Sequence, residues 1–416
     1  MTPHTPKILV LHNRYQQQGG EDEVFAQEVR LLRRMGHTVV EYEDTNDRLH
    51  HIGAVPALLE AVWSRDTIRR LRPILKETRP DVAHFHNTFA RISPAAYYAC
   101  REAQVPVVQT LHNYRTGCPN AICAIDGSPC ERCIPKTVAW PGIVRKCYQG
   151  SRPATAGAAA VTAVHKLLGT YRRKVNAYIS TTEFARAIHI RSGLPQSRIF
   201  VKPNFADPLP PASRRQPQGY GLYVGRIALE KGVDILIEAW QKLEHRPPLI
   251  LVGAGDGPTA EAVRRAQALD PSIQWIGPQP RSGIVKLMLG ADFLVQPSRV
   301  YETFGLVVVE AFSAGLPSIV SGHGSLGELV ENGLNGLHVR PGDAADLALK
   351  IDWMRAHPVR REEMGLAARS GFDRQFTPER NYSMLMQIYG SAIEHSQRFI
   401  RVHSHSSSAN FLLTND

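Results

Sequence analysis

The chain of 416 residues contains 43% apolar and 21% charged residues and carries a formal net charge of +11 at pH 7. This composition excludes an intrinsically disordered chain, and the length favours two domains that each bury a core of their own. No apolar run reaches the roughly 18 residues of a transmembrane helix, and the N-terminus lacks a secretory pattern. The sequence therefore predicts a cytoplasmic protein.

Short β-rich runs alternate with helical segments along the whole chain. In the first half, strands are predicted at 7–13, 38–43, 82–87, 105–112, 177–180 and 199–203, and helices at 21–34, 56–78, 93–103, 160–175 and 183–192. In the second half, strands are predicted at 221–226, 248–253, 273–277, 293–298, 317–322 and 336–340, with helices between them and at 343–356, 358–370 and 378–397. This alternation indicates an α/β fold of two Rossmann-like, doubly wound domains with parallel sheets.

A segment rich in proline, glycine and polar residues, 203–221, marks the linker between the two domains. We therefore expect an N-terminal domain over 1–205, a C-terminal domain over 206–377 and a disordered polar tail over 400–416. Ligands of open α/β sheets bind at the carboxyl ends of the strands. Two such domains that face each other would form a central cleft, with functional residues directly after strands.

A basic amphipathic helix is predicted over 56–79. Between its apolar residues stand the cations Arg65, Arg69, Arg70, Arg72, Lys76 and Arg79. One interpretation is a helix with one face in the core and a solvated basic face; the other is a docking face for the anionic inner-membrane surface. Nucleic acid is not an expected partner, because the basic residues are not interleaved with stacking aromatic side chains.

Two loops that follow predicted strands carry residues suited to an anionic ligand. Gly19 and Gly20 precede a helix, so the backbone can approach a ligand and the helix start supplies N–H donors, although an ordinary helix cap explains them equally well. Arg226 and Lys231 lie after the strand 221–226, beside another helix start. Two cations in this position suit a diphosphate, and the alternative is a surface loop with two exposed bases.

The stretch YETFGLVVVE (301–310) places two carboxylates on either side of a Phe-Gly step. A helix is expected to begin near Phe304 and Gly305, where the N–H groups through Leu306 would lack partners inside the helix. Glu310 lies in the second turn and leans back toward the helix start. We therefore expect Glu302 and Glu310 to face one ligand, and such a carboxylate can accept hydrogen bonds from a ribose diol.

These segments resemble retaining glycosyltransferases of family 4, which have the GT-B fold. Glu302, Phe304-Gly305 and Glu310 look like the E-x7-E motif of that family. Other similar segments are Gly19-Gly20, Gly225-Arg226, Glu230-Lys231-Gly232, Gln296-Pro297-Ser298 and 324–339. The stretches TLHNYRTGCPN (110–120), PCERC (129–133) and VKPNF (201–205) resemble the bacterial exopolysaccharide-type branch, and the likeness runs from Lys7 to about Tyr389.

The resemblance implies an enzyme that moves a sugar from a UDP- or GDP-sugar to a lipid-linked or growing glycan acceptor, with retention and without a catalytic metal. The absence of any Asp-x-Asp sequence argues against the metal-dependent glycosyltransferase fold. The helix at 378–397 would complete the N-terminal, acceptor-side domain, and 206–377 would bind the nucleotide sugar.

The resemblance also distributes roles among the site residues. By this resemblance, Arg226 and Lys231 would bind the diphosphate and Glu310 would bind the ribose. Glu302 and the backbone of Phe304, Gly305 and Leu306 would contact the donor sugar and its departing phosphate. His112 would lie near the donor sugar. Gly19 and Gly20 would let the first loop approach the phosphate. A departing diphosphate develops negative charge, which fixed cations and helix N–H groups stabilise.

Histidines and cysteines suggest two further sites. His84 and His86 share one strand face, but no third metal ligand stands at a recognisable spacing. His86 and Asn87, at the strand end, are candidates for the acceptor side of the cleft, or they simply pack.

Five of the six cysteines lie in an insert at 113–150, placed to cap the acceptor side. The pair Cys130-x2-Cys133, flanked by Cys118 and Cys147, predicts a structural zinc site. Reduced buried thiols or a disulfide formed under stress are the alternatives.

Two other functions remain open at this point. A nucleotide-sugar 2-epimerase, or a transferase with a phosphorylated small acceptor, would use the same fold. A metal-dependent nucleic-acid binder built on the cysteine cluster would belong to another class of protein.

Overall fold

The computed structural model describes residues 5–14, 19–49, 53–210 and 215–410. The strands of the first half are β1 (Ile8–Arg14), β2 (Val39–Thr45), β3 (Val82–Asn87), β4 (Val107–Thr110), β5 (Ala124–Ile125), β6 (Ser128–Pro129), β7 (Ala177–Ser180) and β8 (Ile199–Val201). The helices are α1 (Gly20–Arg34), α2 (Ala54–Val62), α3 (Arg65–Thr78), α4 (Ala96–Glu102), α5 (Trp140–Val144), α6 (Arg152–Leu167), α7 (Thr170–Arg173) and α8 (Glu183–Arg191). Strands β5 and β6 form a short antiparallel hairpin, and the other six pair in parallel in the order β2-β1-β3-β4-β7-β8.

The second half repeats this architecture. Its strands are β9 (Gly221–Val224), β10 (Leu249–Val252), β11 (Ile273–Trp275), β12 (Phe293–Gln296), β13 (Ser318–Ser321) and β14 (Gly336–Val339), all parallel in the order β11-β10-β9-β12-β13-β14. Its helices are α9 (Val233–Lys242), α10 (Gly257–Leu269), α11 (Arg281–Gly290), α12 (Leu306–Ser313), α13 (Gly324–Leu329), α14 (Ala344–Ala356), α15 (Pro358–Gln375) and α16 (Pro378–Asn410). The predicted α/β class, with two doubly wound parallel sheets in the GT-B arrangement, is confirmed.

Each sheet has a hydrophobic cluster on both faces, which a parallel sheet requires. In the first sheet, Leu9 and Leu11 pack on one face and Ile8 and Val10 on the other. The second sheet likewise separates two clusters of buried residues. The alternation of side chains along a strand therefore explains why continuous apolar runs, and not alternating ones, mark these strands.

The last helix, α16, packs against the first sheet. Leu385 and Ile388 join the cluster that contains Ile8 and Val10, and the Tyr389 hydroxyl lies 2.8 Å from His84 Nδ1. The helix continues to Asn410, so the tail expected over 400–416 is helical to that residue, and 411–416 lie outside the described residues. No proline or glycine follows Gly390 to end the helix earlier.

The basic helix predicted over 56–79 is two helices, α2 and α3. Ser64 separates them: its side chain accepts a hydrogen bond from the N–H of Thr67 and thereby caps α3. The helix predicted at 160–175 is likewise divided, since Gly169 adopts a φ of 65° between α6 and α7. Across the part of the chain that the structure covers, none of the helices is both long enough and apolar enough to cross a membrane.

Candidate active site

The loop after β9 closely approaches the end of β12. Gly232 closes this loop with a φ of 70°. A Cβ at this position would lie 2.0 Å from the backbone oxygen of Pro297, so only glycine allows the two loops to touch. This approach brings Lys231, which precedes Gly232, to the carboxylate of Glu302.

Lys231 and Glu302 form a direct ion pair. Lys231 Nζ lies 2.7 Å from Oε1 and 2.9 Å from Oε2 of Glu302, and Ser298 Oγ donates to Oε1 at 2.8 Å. Burial acts to raise the pKa of Glu302, but Lys231 and Ser298 lower it overall, so the carboxylate is ionised at neutral pH. The resemblance assigned Lys231 and Glu302 to different parts of a donor, whereas the structure joins the two side chains.

Arg226 stands at the outer edge of the same loop. Its side chain is 54% exposed and donates to Glu230 Oε1 at 2.6 Å. An exposed ion pair of this kind contributes little to stability. Arg226 can therefore exchange Glu230 for an anionic ligand at small energetic cost.

The start of α12 depends on Gly305. This residue has a φ of 122°, and a Cβ on it would lie 2.6 Å from Leu326 Cδ2. Phe304 is buried in the core of the C-terminal domain, so only its backbone can serve a ligand. The helix begins at Leu306, and its first N–H groups have no acceptor within the helix.

Glu310 borders an apolar cavity of about 210 Å³ between the two domains. The cavity is lined by Leu209, Ile284, Val285 and Met288, together with Arg281, Glu23 and Glu310 itself. Burial raises the pKa of Glu310 to about 7, although Arg281 Nη1, 3.8 Å from Oε1, opposes the shift. Glu302 is not among the lining residues, so the two carboxylates would contact different parts of an extended ligand.

On the facing side of the cleft, a buried hydrogen-bonded chain ends at His112. Lys202 Nζ donates to Glu28 Oε2 at 3.0 Å, His86 Nε2 lies 3.1 Å from Glu28 Oε1, and His86 Nδ1 lies 3.0 Å from His112 Nε2. Burial lowers the pKa of His86 to about 4 and lowers that of His112 well below its usual value, so both rings are neutral.

This chain of contacts fixes the tautomers. Because the Glu28 carboxylate can only accept, His86 donates from Nε2 and accepts at Nδ1. His112 then donates from Nε2, which leaves its Nδ1 as an acceptor. A neutral His112 in this state can accept a hydrogen bond from a sugar hydroxyl but carries no positive charge.

The third ligand that a metal at His84 and His86 would need is Glu28. In the described ranges, these three side chains are the one group of at least three histidine, cysteine or acidic residues whose ligand atoms all lie within 4.8 Å of one another. Lys202 already neutralises Glu28, and His84 contacts the hydroxyls of Tyr389 and Thr110, each at 2.8 Å. These contacts satisfy the group as a buried polar network without a metal.

Asn87 holds an acidic residue that the sequence analysis did not select. Its Nδ2 donates to Glu21 Oε1 at 3.0 Å, and Asn113 Nδ2 donates to Oε2 at 3.4 Å. Burial raises the pKa of Glu21 to about 8. Glu21 therefore places a protonated carboxyl group beside Asn87 and Asn113 at neutral pH.

Gly19 and Gly20 form the first turn of α1. The N–H of Gly19 donates to Asp22 Oδ2 at 2.8 Å, and Asp22 Oδ1 lies 2.8 Å from His12 Nε2. A Cβ at Gly19 or Gly20 would meet no atom of the described residues within 4 Å. Asp22 therefore already occupies one of the N–H donors at this helix start.

Sequence reasoning missed Glu21, Glu28, Lys202 and Arg281. Glu21 and Glu28 lie on one helix face at i and i+7, but so do many surface carboxylates. The sequence signal for Lys202 was its place near the end of the predicted strand 199–203, in VKPNF, a segment interpreted only as a family resemblance.

Family comparisons define the class of protein. Residues 19–204 match the family described as glycosyl transferase 4-like domain, and residues 211–371 match glycosyl transferases group 1. Together these matches span well over half of the chain and correspond to its two domains. The chain therefore belongs to the GT-B glycosyltransferases and is an enzyme of glycosyl transfer.

Curated relatives agree with this class. The chain is 28% identical to a glycogen synthase of Mycobacterium tuberculosis over 323 residues, which are 76% of this chain and 69% of that protein. It is 30% identical to a D-inositol 3-phosphate glycosyltransferase of Nocardia farcinica over 242 residues, 51% of this chain and 52% of that protein.

Among solved structures, Anabaena HepE in complex with UDP superposes with a TM-score of 0.67 at 18% identity, over 92% of this chain and all of HepE (100%). HepE has also been solved with UDP-glucose. The sucrose-phosphate synthase of Thermosynechococcus elongatus gives a TM-score of 0.64 at 18% identity, over 96% of this chain and 100% of that chain. At this level of identity, the likeness shows the shared fold.

Proposed function

We propose that this chain transfers a sugar, with retention of anomeric configuration, from a UDP-sugar to a lipid-linked or growing glycan acceptor. The observation that carries the proposal is the combination of the cavity at Glu310 with the Lys231–Glu302 pair at the other end of the same ten-residue stretch, 301–310. An apolar cavity edged by a carboxylate suits a nucleoside, whose base packs and whose ribose diol donates. HepE, solved with UDP and with UDP-glucose, supports the choice of donor.

In this proposal, the diphosphate lies across the start of α12. The unpartnered N–H groups there, with Lys231 and Arg226, stabilise the negative charge that develops as the nucleoside diphosphate leaves. These groups supply the positive charge that a metal would otherwise provide. His112, as a neutral acceptor, orients a hydroxyl of the donor sugar.

The retaining stereochemistry rests on the resemblance of the segment 301–310 to the family 4 motif. The anomeric configuration of a product made from an α-linked donor, read by NMR, tests it directly. An inverted product would contradict this part of the proposal and leave the donor site unaffected.

Donor use is tested by measuring nucleotide release from UDP-glucose, UDP-galactose and GDP-mannose, with glycan and polyprenyl-diphosphate-sugar acceptors. We expect release from a UDP-sugar that depends on an acceptor and is lost in a Lys231→Met, Glu310→Gln double variant. Release by the wild type that never exceeds release by the double variant would overturn the proposal.

A phosphorylated small acceptor is a second candidate, because one relative is a D-inositol 3-phosphate glycosyltransferase. The same assay with inositol phosphates and hexose phosphates as acceptors separates it from a glycan acceptor. Release without any acceptor, accompanied by a free epimerised sugar, would indicate a 2-epimerase instead.

Docking on an anionic membrane is also part of the proposal. Arg65, Arg69, Arg72 and Lys76 line one open groove along α3, and Val55 and Leu59 on α2 are 69% and 65% exposed. Exposed basic groups and exposed apolar side chains on consecutive helices suit an anionic lipid surface. We expect flotation with phosphatidylglycerol vesicles but not with phosphatidylcholine vesicles, and loss of flotation on Arg69→Gln with Arg72→Gln. Equal flotation with both lipids would contradict it.

A further inference from the structure

Four cysteines from separate parts of the insert line one small cavity. Cys118, Cys130, Cys133 and Cys147 surround a space of about 10 Å³, closed by Pro119, Ala124, Pro141 and Gly142, with Arg132 and Arg145 at its edge. About 10 to 15 Å³ is the volume that holds one water-sized occupant. The four cysteines, spread over residues 118 to 147, therefore line one space that is large enough for a single atom.

The cavity wall offers few other groups. Pro119, Ala124, Pro141 and Gly142 bring no polar side chain, so the thiols are the only uncharged side chains on the wall that can act as ligands. Cys123 is also buried in the insert but does not line the space. The cavity is thus lined by the same four cysteines that the spacing of the CxxC pair suggests.

Two of the thiols contact oxygen atoms of the insert. Cys118 Sγ donates to Asn120 Oδ1 at 2.8 Å, and Cys133 Sγ donates to the backbone oxygen of Ala139 at 3.8 Å. Four thiolates cannot ionise together in one cavity without a cation, and a bound Zn²⁺ reverses that repulsion.

We propose that Cys118, Cys130, Cys133 and Cys147 bind one structural Zn²⁺ ion. Four thiolates in a reducing compartment are the ligand set of tetrahedral structural zinc. Within the described residues, no three of these sulfurs are all within 4.8 Å of one another. Zinc binding therefore requires the segments that carry them to move closer together. Binding releases the thiol protons and leaves no oxidised product.

The site would hold the insert against the donor-binding loops. Tyr114 donates from its hydroxyl to the backbone oxygen of Glu302 at 3.2 Å. Glu131, inside the CxxC pair, forms an ion pair with Arg191 on α8 at 2.5 Å. The ion would therefore position the insert next to Glu302 and take no part in the transfer itself.

Metal content of the full chain tests the proposal. Protein made in zinc-supplemented medium and purified without chelator is expected to carry one zinc per chain by plasma mass spectrometry. Native mass spectrometry should show one zinc in place of two protons at each charge state, because the charge of the ion is fixed. A metal-free wild type that does not take up Zn²⁺ or Co²⁺ under reducing conditions would overturn the proposal.

Thiol reactivity identifies the ligands without relying on a variant that folds. In the native holo-protein, the four ligand thiols should resist a thiol reagent, and a chelator should release zinc in step with their modification, located by peptide mapping. The same reactivity with and without the chelator would contradict zinc ligation.

Matched variants then identify which cysteines bind the zinc. Cys123→Ser and Cys100→Ser should keep the zinc, whereas Cys130→Ser with Cys133→Ser should lose it. Loss of zinc in Cys123→Ser would mean that the proposed set is wrong. All of these readouts are independent of glycosyl transfer, so they test the zinc site separately from the proposed function.

Discussion

Lys231 donates from one ammonium group to both carboxylate oxygens of Glu302, at 2.7 and 2.9 Å, and thereby ties the loop after β9 to the loop after β12. The two residues are 71 positions apart in the chain. An ammonium held in this way is already oriented when a diphosphate arrives, which reduces the reorganisation needed during the reaction. In the proposed donor site, the pair would both position the two loops and supply charge.

Replacing Lys231 by methionine should affect both stability and transfer. Glu302, whose side chain is 20% exposed, would then lose its cation in a partly desolvated site, which costs about 1–3 kcal/mol. The lowered pKa of Glu302 stabilises the fold above its usual value of 4.5, and this contribution is lost as pH falls through the lower folded value. The variant should thus lose stability most at neutral pH, and kcat/KM should fall by about 10²- to 10³-fold.

Urea unfolding at pH 7 and nucleotide release measure these two effects. Lys242→Met is the matched control, because Lys242 forms an exposed pair with Glu238 at 3.4 Å. It should change stability by less than about 1 kcal/mol. Equal effects of the two substitutions would refute a special role for Lys231.

Donor binding should depend on the protonation of Glu310. Its pKa of about 7 means that a growing fraction is protonated below pH 7, where it cannot accept two hydrogen bonds from a diol. UDP affinity should weaken by up to about tenfold from pH 7 to pH 6, and binding should release a proton. Calorimetry in two buffers of different ionisation enthalpy measures both quantities.

The sign of the stability effect is opposite to that for Glu302. A carboxyl group with a raised pKa holds more protons in the folded state, so its contribution is lost as pH rises from about 4.5 to about 7. Glu310→Gln should therefore unfold at a higher temperature than wild type at pH 8, and it should remove the pH dependence of UDP binding. A pH dependence that persists in this variant would assign it to another group.

Gly305→Ala should disturb the start of α12. The added methyl group would lie 2.6 Å from Leu326 Cδ2, at a φ of 122° that side chains rarely adopt. The expected loss is about 1–3 kcal/mol, with weaker UDP binding because the helix start shifts. Gly371→Ala, in α15 with no atom within 4 Å of the new Cβ, should instead be stabilising or neutral. Thermal unfolding and UDP titration compare the two variants.

Glu328 caps a helix of the other domain. Its carboxylate accepts from the N–H groups of Glu183 and Phe184, at 2.9 and 2.7 Å, at the start of α8. Beside it, Thr182 Oγ1 and Ser325 Oγ are 2.7 Å apart. Glu328→Ala should cost about 1 kcal/mol and favour a more open arrangement of the domains.

Small-angle scattering of Glu328→Ala should therefore show a larger radius of gyration, and the KM for the donor should rise more than kcat falls. Glu331→Ala, an exposed residue two positions after the end of α13, is the control. An unchanged radius of gyration in Glu328→Ala would show that this contact does not hold the domains together.

Lys202→Met should strongly destabilise the N-terminal domain. It leaves the fully buried Glu28 carboxylate without its lysine cation. The expected loss is about 3–5 kcal/mol. Glu28→Gln in the Lys202→Met background should restore part of it, because the buried charge is removed; no recovery would argue against the pair as the cause.

The local sequence pattern was sufficient to predict the architecture. Buried parallel strands are continuous apolar runs, so the sequence alone located all six strands of each sheet and the loops that follow them. It also placed Arg226, Lys231 and the 301–310 stretch at strand ends. It failed where a local cap outweighed periodicity, as at Ser64, and where a Ser-rich end continued a helix to Asn410.

The fold class and the positions of the loops at the strand ends follow from the sequence, because hydrophobic periodicity and turn residues act over a few positions. Which charges meet follows from the packing of the folded chain: Lys231 with Glu302, Lys202 with Glu28, and Glu328 with the start of α8. These contacts join residues 71 to 174 positions apart. Their strength and protonation depend on burial and distance, which arise when the two sheets and their helices pack together.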